Sequence, residues 1–262
     1  MASLPALQRF FASLLFPQRV RTNQADGPLR ILAFVTMFID HAGKMFFPKL
    51  IVLRIIGRLA FPVFAYSLAM GIIYTRDDVK YLSRVVLLAL ISQPLSALGL
   101  AHENARMYSV PLFPNPFLSI YTFYINSWDY PCVLMTLSLA LAILVALRHK
   151  NFILAIGLYM LCEHFSTSYD YGINGIRLVL LFYFFAEHPP LMALAAGGFL
   201  VWWSSHGQSY TFFGHTFSME IYALPSLLLC TIPMKRTFRL PRLVTYGFYP
   251  AHLALLALLV KL

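Results

Sequence analysis

The sequence predicts an all-α, polytopic transmembrane helix bundle with about nine spans, and three observations lead to this class. Hydrophobic residues make up 60% of the 262 residues, charged residues only 11%, and the mean hydropathy is +0.71. A soluble domain carries roughly 45–50% apolar and about 25% charged residues. The apolar runs are long and uninterrupted, which excludes the alternating pattern of a transmembrane β-barrel. The same composition excludes a disordered protein, a secreted disulfide scaffold and a protein that mainly binds nucleic acid.

The N-terminal segment, residues 1–27, precedes the predicted spans. Residues 3–20 mix Leu and Phe with Arg9 and Arg19. This mixture is typical of an amphipathic helix in the membrane interface, and no small-residue site for signal cleavage follows it. We expect this segment and the remainder of the chain to form one integral membrane domain over residues 1–262.

The predicted spans follow from hydropathy and length. Crossing the hydrocarbon core as a helix takes about 20 apolar residues. Nine segments reach or approach that length, within a range of eight to ten. The segments are 28–47, 51–75, 82–101, 131–147, 151–166, 172–187, 190–205, 218–233 and 242–261.

The longest connection, residues 102–130, contains three prolines and then the aromatic stretch FLSIYTFYI. A connection of this length without structure of its own is uncommon in a compact domain. Two interpretations stay open on the outer side of the membrane: a re-entrant or interfacial segment that covers a site, and a plain surface loop.

The net charge of +10 has a topological explanation. If the N-terminus is cytoplasmic, thirteen basic residues fall on the inner side and four on the outer side, as the positive-inside rule requires. The inner residues are Arg9, Arg19, Arg21, Arg30, Arg76, Lys80, Arg84, Arg148, Lys150, Lys235, Arg236, Arg239 and Arg242. The outer residues are Lys44, Lys49, Arg106 and Lys261. We expect a multi-pass protein of a bacterial inner membrane, with its C-terminus on the outer side.

Asp40 and His41 lie near the outer end of the first predicted span. Ionisable residues inside spans are costly, which makes them functional candidates. An imidazole can take a proton from an attacking amine or hydroxyl, and a nearby carboxylate can orient it. Because adjacent helix positions do not face each other, the alternative is that Asp40 pairs with Lys44 while His41 caps the helix.

Arg54 and Arg58 lie one turn apart in the segment LRIIGRLAFP. Two guanidinium groups inside a span need anionic partners. Asp40 is one candidate partner and a phosphate-bearing ligand is another. A purely structural ion pair is the alternative.

Polar residues also open the sixth predicted span and lie within the last one. Those in SYDYGINGIR are Asp170, Tyr171, Asn174 and Arg177, and those in GFYPAHLALL are Tyr249 and His252. The glycines of the first segment permit close approach of a ligand or a neighbouring helix. Helix capping, interhelical packing and an ordinary buried histidine are the alternatives.

No metal site is expected. The three cysteines are widely spaced in apolar runs, and the histidines have no tight metal-ligand spacing. A zinc site that combines Glu163 with His164, His206 or His215 is the weaker alternative.

Four segments, taken in order, resemble the TraX family. They are IDHAGKMFF, IIGRLAFPVFAYSLAMG, YDYGINGIRLVLLFY and FYPAHLALLAL, and the Asp-His pair followed by GRLAFP is the most specific part. The resemblance implies a membrane-embedded acyltransferase, distantly similar to the acyltransferase-3 group. Those enzymes take acetyl groups from cytoplasmic acetyl-CoA to acceptors at the outer face, and the namesake of the TraX family acetylates the N-terminal amine of conjugative pilin.

The resemblance also implies roles for individual residues. It makes His41 the catalytic histidine, assisted by Asp40, and it matches Arg58 to the arginine of the family's GR-x-AFP motif. The other matched residues are Tyr171, Gly172, Tyr249 and His252. Arg54, Asn174 and Arg177 are added on burial arguments alone.

The anionic phosphates of acetyl-CoA suit basic residues of the inner face. The residues expected to bind this co-substrate are Arg76, Lys80, Arg84, Lys235 and Arg236, together with Arg54, Arg58 and Arg177 inside the spans. The residues expected to support the substrate and the oxyanion are Arg58, Tyr171, Asn174, Tyr249 and His252. His41 acts as a general base or forms an acetyl-histidine, and the general base is favoured.

The expected function is therefore acetyl transfer from acetyl-CoA to an amine or hydroxyl of a protein N-terminus, a glycan or a small molecule. Two alternatives stay open. A transporter requires two related halves and several acidic residues at mid-membrane depth. The sequence shows no related halves, and Asp40 is the one acidic residue expected at that depth. A non-enzymatic pilus or envelope assembly factor requires neither Asp40 nor His41.

Overall fold

The computed structural model describes residues 4–20, 26–100, 115–206, 209–212, 215–232, 234 and 238–260. These ranges form twelve α-helices and one β-hairpin. The helices are α1 (Leu4–Leu15), α2 (Asp26–Phe46), α3 (Ile51–Gly57), α4 (Ala60–Tyr74), α5 (Asp78–Leu100), α6 (Pro116–Asn126), α7 (Val133–Arg148), α8 (Phe152–His164), α9 (Gly172–Phe184), α10 (Pro189–His206), α11 (Pro225–Thr231) and α12 (Arg242–Val260). The strands are β1 (Ser209–Phe212) and β2 (His215–Ser218), and 3₁₀ turns cover Ser127–Asp129 and Met219–Ala223.

The helical class that composition predicts is confirmed, with one small addition. Strands β1 and β2 form an antiparallel hairpin in which Ser209 lies opposite Ser218 and Phe212 lies opposite His215. The hairpin follows α10 and leads into the 3₁₀ turn at Met219–Ala223.

The predicted number of nine spans is wrong. Among the described residues, three helices are long and apolar enough to cross a membrane: Ile51–Tyr74, Asp78–Leu100 and Arg242–Leu259. A fourth crossing is possible if Pro116–Asp129 and Val133–Arg148, which meet at 65°, together form one broken span. These apolar helices indicate a membrane protein.

Two physical reasons reduce the number of spans. Helices α8 and α9 have 13 residues each, about 20 Å at 1.5 Å per residue, whereas the hydrocarbon core is about 30 Å thick. Helix α11 has only seven residues, so the predicted span 218–233 is broken into a 3₁₀ turn and a short helix. Helix α2 has 21 residues but carries charged side chains along its length.

Helices α4, α7 and α9 meet in the centre of the bundle. Tyr66 of α4 and Phe182 of α9 are fully buried, and their rings meet edge to face at 5.5 Å. Leu141 and Leu144 of α7 belong to the same buried core. Burial of such side chains stabilises each by about 1.5–3 kcal/mol relative to exposure. The elements that carry the candidate site pack against this core.

One end of the bundle is held together around Asp78. Arg148 donates a hydrogen bond to the carbonyl of Ile72, and its Nε lies 3.8 Å from the carboxylate of Asp78. His149 Nε2 lies 3.3 Å from the same carboxylate. We call this the Asp78 end, and we call the opposite end, where α2 is followed by α3, the Asp40 end.

The N-terminal amphipathic helix that the sequence predicts is present as α1. It exposes Leu7, Phe11 and Leu15. Its other side contacts the connection between α9 and α10, where Ser13 Oγ lies 2.9 Å from His188 Nε2. The interfacial position of α1 stays a prediction.

The connection 102–130 is helical where the structure describes it, and residues 102–114 lie outside the described residues. Asn115 is the N-cap of helix α6, and its side-chain oxygen accepts a hydrogen bond from the backbone N–H of Phe117. An N-cap followed by Pro at the first helical position is a typical helix start. Residues 115–130 are therefore not a plain loop.

Candidate active site

A cavity of about 310 Å³ lies at the Asp40 end. It is enclosed by α2, α3, the start of α4, the segment before α9, the end of α10 and the 3₁₀ turn after the hairpin. The polar and charged side chains that line it are Asp40, His41, Lys44, Arg54, Arg58, Tyr130, Asp170, Tyr171 and Glu220. The structure thus brings together six residues that the sequence singles out: Asp40, His41, Arg54, Arg58, Asp170 and Tyr171.

The close packing of α3 on α2 places the two arginines beside Asp40. Arg54 Nη1 donates to Asp40 Oδ2 at 3.0 Å, and Arg58 Nη2 lies 3.9 Å from Asp40 Oδ1. A Cβ on Gly57 would overlap the side chain of Asp40, so glycine is what permits this approach. Asp40 is the anionic partner of the arginines, as one of the sequence-based alternatives proposes.

This charged group contains polar atoms that lack hydrogen bonds. Asp40 Oδ1 and Arg58 Nε are buried and, among the described residues, have no hydrogen-bond partner. A buried polar group left in this state costs about 1–3 kcal/mol. Both residues line the cavity, so this cost is borne in the cavity wall.

His41 is paired with His252 rather than with its neighbour in the chain, Asp40. His41 Nδ1 lies 2.8 Å from His252 Nε2, and the two rings are stacked with their centroids 5.0 Å apart. His252 Nδ1 lies 2.9 Å from the carbonyl oxygen of Phe248, one turn earlier in α12. His41 is half-buried and His252 is buried.

These contacts fix the protons of the neutral histidine pair. The carbonyl of Phe248 can only accept, so His252 Nδ1 carries a proton and donates it there. His252 Nε2 then accepts a hydrogen bond from His41 Nδ1–H. The lone pair of His41 is therefore on Nε2, which is the arrangement a general base requires.

Tyr171 is held in an unusual backbone conformation at the cavity wall. Its φ of 59° is left-handed, a conformation that a residue with a large side chain rarely adopts. The ring stacks on Phe61 at a centroid distance of 3.9 Å, and Asp170 Oδ1 accepts a hydrogen bond from the backbone N–H of Tyr171 at 3.1 Å. Strained residues of this kind cluster at functional sites.

Sequence reasoning missed three of the lining side chains: Tyr130, Trp203 and Glu220. Trp203 approaches Tyr171 edge to face at 6.1 Å. Tyr130 is positioned by the buried Gln93, whose side chain donates to the carbonyl of Tyr130 and accepts from the N–H of Cys132. In the sequence, the signal that could have indicated the segment around Tyr130 is Gln93, a polar residue within an apolar predicted span.

Four residues that the sequence proposes for the site do not line this cavity: Asn174, Arg177, Tyr249 and His252. Arg177 pairs with Glu163 at 2.7 Å, and it donates to Tyr159 at 2.9 Å and to Asn174 at 3.1 Å. This group joins α8 to α9. Tyr249 is buried beside His252, with ring centroids 5.4 Å apart, and lines a second cavity.

The proposed co-substrate residues on the basic face lie at the Asp78 end, away from His41. Arg76 and Lys80 are exposed, whereas Arg84 is half-buried. Arg84 donates to the carbonyl of Lys80 and lies over the ring of Tyr81 at 5.9 Å. Lys235 and Arg236 lie outside the described residues.

Among the described side chains, no group of three or more His, Cys, Asp and Glu could hold a metal ion. The side chain of His215, one of the residues in the weaker zinc alternative, lies outside the described residues.

Comparisons with known proteins identify relatives over nearly the whole length. The family model described as "TraX protein" matches residues 26–260. The probable fimbrial assembly protein FimC, serogroup H1, of Dichelobacter nodosus is 27% identical over 253 residues, which covers 87% of this chain and 92% of that protein. An uncharacterized protein of Rickettsia prowazekii (strain Madrid E) is 48% identical over 46 residues, 18% of each chain.

No solved structure matches the chain. The distant similarity to the acyltransferase-3 group stays a prediction. The family match spans all four segments on which the resemblance depends, including the Asp40-His41 pair and the residues around Arg58. The chain belongs to the TraX family.

Proposed function

We propose that this protein is a membrane-embedded acetyltransferase that uses acetyl-CoA from the cytoplasm. The acceptor is an amine or hydroxyl at the outer face: the N-terminus of pilin or another protein, or a group on a glycan or small molecule. The observation that carries the proposal is the cavity at the Asp40 end. There, a histidine whose lone pair is on Nε2 and a buried arginine line the same cavity.

His41 acts as the general base. The acceptor N–H or O–H transfers its proton to His41 Nε2 as the acceptor atom attacks the thioester carbonyl carbon. The imidazolium that forms keeps its Nδ1–H hydrogen bond to His252 Nε2. Asp40 assists without touching His41, because its ion pairs hold Arg54 and Arg58 in the wall of the same cavity.

Arg58 and Tyr171 stabilise the tetrahedral intermediate. Attack places a negative charge on the former carbonyl oxygen, and hydrogen-bond donors that are already in position stabilise such a charge most strongly. Arg58 lines the cavity, and its guanidinium group supplies one donor. The Tyr171 side chain, held by its stacking on Phe61, is available as a second.

Collapse of the intermediate breaks the carbon–sulfur bond. The CoA thiolate leaves and takes the proton from His41 Nε2, so the histidine returns to its neutral state and the products are the acetylated acceptor and free CoA. No metal ion is required for this sequence. An acetyl-histidine route would instead place the acetyl group on Nε2 before the acceptor binds.

The orientation in the membrane is part of the proposal. The Asp78 end carries Arg76, Lys80, Arg84 and Arg148, whereas the Asp40 end carries the cavity. Positively charged segments remain on the cytoplasmic side. The Asp78 end then faces acetyl-CoA in the cytoplasm, and the cavity opens toward the outer face of a bacterial inner membrane.

A non-enzymatic role in pilus assembly is the second candidate. It is favoured by the relative from Dichelobacter nodosus, whose name describes a probable fimbrial assembly protein. This role requires a surface that binds pilin or another envelope component. It does not explain why the buried atoms Asp40 Oδ1 and Arg58 Nε lack hydrogen bonds among the described residues.

Labelled acetyl-CoA distinguishes the two candidates. We expect the purified protein, in detergent or nanodiscs, to transfer the label to an added amine or to hydrolyse the thioester, and we expect His41→Ala to reduce this rate by about 10²–10⁴. His164→Ala is the matched control because His164 is exposed and does not line the cavity. Equal rates for wild type and His41→Ala would overturn the enzymatic proposal.

The general-base route has a separate test. Wild-type protein is mixed with labelled acetyl-CoA without acceptor, denatured rapidly near neutral pH in the cold, where an acetyl-imidazole survives longer than in acid, and analysed at once by mass spectrometry. We expect no acetyl group on the protein before acceptor is added. Accumulation of an acetyl group on His41 would establish the acetyl-histidine route in its place.

A further inference from the structure

A second cavity, of about 120 Å³, lies between α2, α4, α5, α7 and α12. Buried apolar side chains form much of its wall, among them Phe34, Val85, Leu134 and Leu137. An apolar cavity of about 150 Å³ excludes water and binds one benzene molecule. The second cavity therefore has room for a narrow apolar chain over a stretch of about five or six carbon atoms.

One end of the second cavity lies where two membrane-spanning helices begin. Helices α5 and α12 start at Asp78 and Arg242, and Tyr81 and Tyr246, which are near those starts, line the cavity. Both tyrosines are half-buried, so the cavity reaches the protein surface here. Tyrosine is enriched at the depth of lipid headgroups. We call this end the mouth, and we infer that it lies at headgroup depth while the rest of the cavity lies at the depth of the acyl chains.

The mouth is basic. Arg30 of α2 lines the cavity itself. The guanidinium carbon of Arg84 lies 5.9 Å from the centroid of the Tyr81 ring, and the exposed Arg242 comes one helical turn before Tyr246. Guanidinium groups bind phosphate with good geometry, and basic pockets between transmembrane helices bind anionic lipid headgroups.

The cavity extends from the mouth along α2 toward the Asp40 end. Arg30 and Met37 both line it and are seven positions apart, which corresponds to about 10 Å at 1.5 Å per residue. A ligand that fits this space has an anionic group at the mouth. Below that group it has an unbranched apolar chain, because the deeper wall is mainly apolar.

We propose that the second cavity binds one anionic phospholipid of the bilayer. Arg30 binds the phosphate at the mouth, and Arg84 and Arg242 add positive charge around it. The upper part of one acyl chain occupies the cavity, and the other chain remains among the surrounding lipids. This site goes beyond the proposed acetyl transfer and does not depend on it.

The bound chain lies directly behind the cavity at the Asp40 end. Met37, Phe64 and Val133 line both spaces. Met37 comes four residues before His41, and side chains at this spacing lie on one face of a helix, one turn apart. The acyl chain therefore excludes water from the space behind His41.

Native mass spectrometry of the full-length protein tests the class of lipid. The protein is purified in detergent, freed of bound lipid and titrated with phosphatidylglycerol or with phosphatidylcholine that has the same acyl chains. We expect phosphatidylglycerol to bind about tenfold more tightly, because the three arginines favour a headgroup with a net negative charge. Equal affinities for the two lipids would overturn the proposal of an anionic ligand.

Two variants test the two parts of the site. Arg30→Gln removes the charge at the mouth, and Arg19→Gln removes the same charge at an exposed position that lines neither cavity. Ser67→Phe fills the cavity, and Ser205→Phe adds the same volume at an exposed position that lines neither cavity. We expect Arg30→Gln and Ser67→Phe each to weaken binding of phosphatidylglycerol by about tenfold, and the two controls to change it less than about twofold.

Glycerol 3-phosphate tests the role of the chain in the unmodified protein. It carries a phosphate but no acyl chain, so we expect an excess of about a hundredfold to leave phosphatidylglycerol bound. Displacement by this compound would show that phosphate alone is recognised and would overturn the binding of a chain in the cavity.

The outcomes are distinct from those of the acetyl-transfer assays. Phosphatidylglycerol that binds equally well to Arg30→Gln, Ser67→Phe and their controls would place the lipid elsewhere on the protein and overturn the site. These measurements need no turnover. A protein that binds the lipid as expected but transfers no acetyl group would overturn the acetyltransferase proposal alone.

Discussion

Two of the charged groups that join neighbouring helices in the described part of the chain have different surroundings. The Asp40 group, formed by Asp40, Arg54 and Arg58, lines a cavity and contains buried polar atoms without hydrogen bonds. The Arg177 group, formed by Tyr159, Glu163, Asn174 and Arg177, lines neither cavity. In the sequence, both groups are marked by arginines inside apolar segments.

Exposure and hydrogen bonding separate the two groups. The side chains of Asp40 and Arg58 are each 13% exposed, whereas those of Arg177 and Glu163 are 30% and 42% exposed. The guanidinium of Arg177 makes three hydrogen bonds, one to each of three side chains. The Arg177 group is thus a satisfied link between α8 and α9, whereas the Asp40 group keeps buried polar atoms without hydrogen bonds among the described residues.

The largest difference is expected when the same substitution is made in each group. Arg58→Gln removes the charge beside the developing oxyanion and should lower kcat by about 10²–10³. Arg177→Gln, the matched control, should leave kcat within about twofold, because Arg177 lines neither cavity. Steady-state kinetics with acetyl-CoA measures both, and equal losses in the two variants would remove the distinction between the groups.

The second test concerns the hydrogen bond between His41 and His252. His252→Phe keeps a ring at this position but removes the acceptor for His41 Nδ1–H, and we expect a loss of about 10–100-fold in kcat. His252→Gln returns a side-chain oxygen that can accept this bond and should recover part of the rate. If Phe and Gln variants lose activity equally while both remain folded, His252 has only a packing role.

Gly57 tests the packing that builds the Asp40 group. A methyl group there overlaps Asp40, so Gly57→Ala should lower the free energy of unfolding by about 1–3 kcal/mol and reduce activity. Gly157→Ala is the control, since nothing lies within 4 Å of a Cβ at that position in α8. Thermal unfolding in detergent measures the effect, and a control variant at least as stable as wild type is expected because alanine favours helix. A Gly57→Ala protein that matched wild type would contradict the close approach of α3 to α2.

The smallest effect is expected for Glu163→Gln in the Arg177 group. Its ion pair is partly exposed, and such pairs contribute about 0–1 kcal/mol. Thermal unfolding should shift slightly and acetyl transfer should be unchanged. A large loss of activity in this variant would make the Arg177 group part of the site.

The sequence alone predicts the membrane class and the charged centre, for identifiable reasons. The stretch Ile51–Tyr74 agrees with the predicted span 51–75 because its apolar run is long and nearly unbroken. Asp40 and the two arginines are recognisable because charges are costly in such runs. The number of spans is overestimated because α8 and α9 have apolar composition without the length of a crossing.

Other parts of the site depend on contacts between distant parts of the chain. Tyr130, Trp203 and Glu220 come to the cavity from three separate elements, and no local pattern links them to His41. The pairing of His41 with His252 spans 211 positions. Hydropathy also cannot separate Arg177 from Arg58, since the difference is in what each guanidinium contacts across the helix interface.

Mass spectrometry of envelope proteins and glycans tests the central claim most directly. Cells that lack the protein are supplied with the wild-type, His41→Ala or Arg177→Gln form and fed labelled acetate. The account predicts a labelled acetyl group on one envelope component with wild type and Arg177→Gln, and its absence with His41→Ala. The same acetylated components in all three strains, and in cells without the protein, would contradict it.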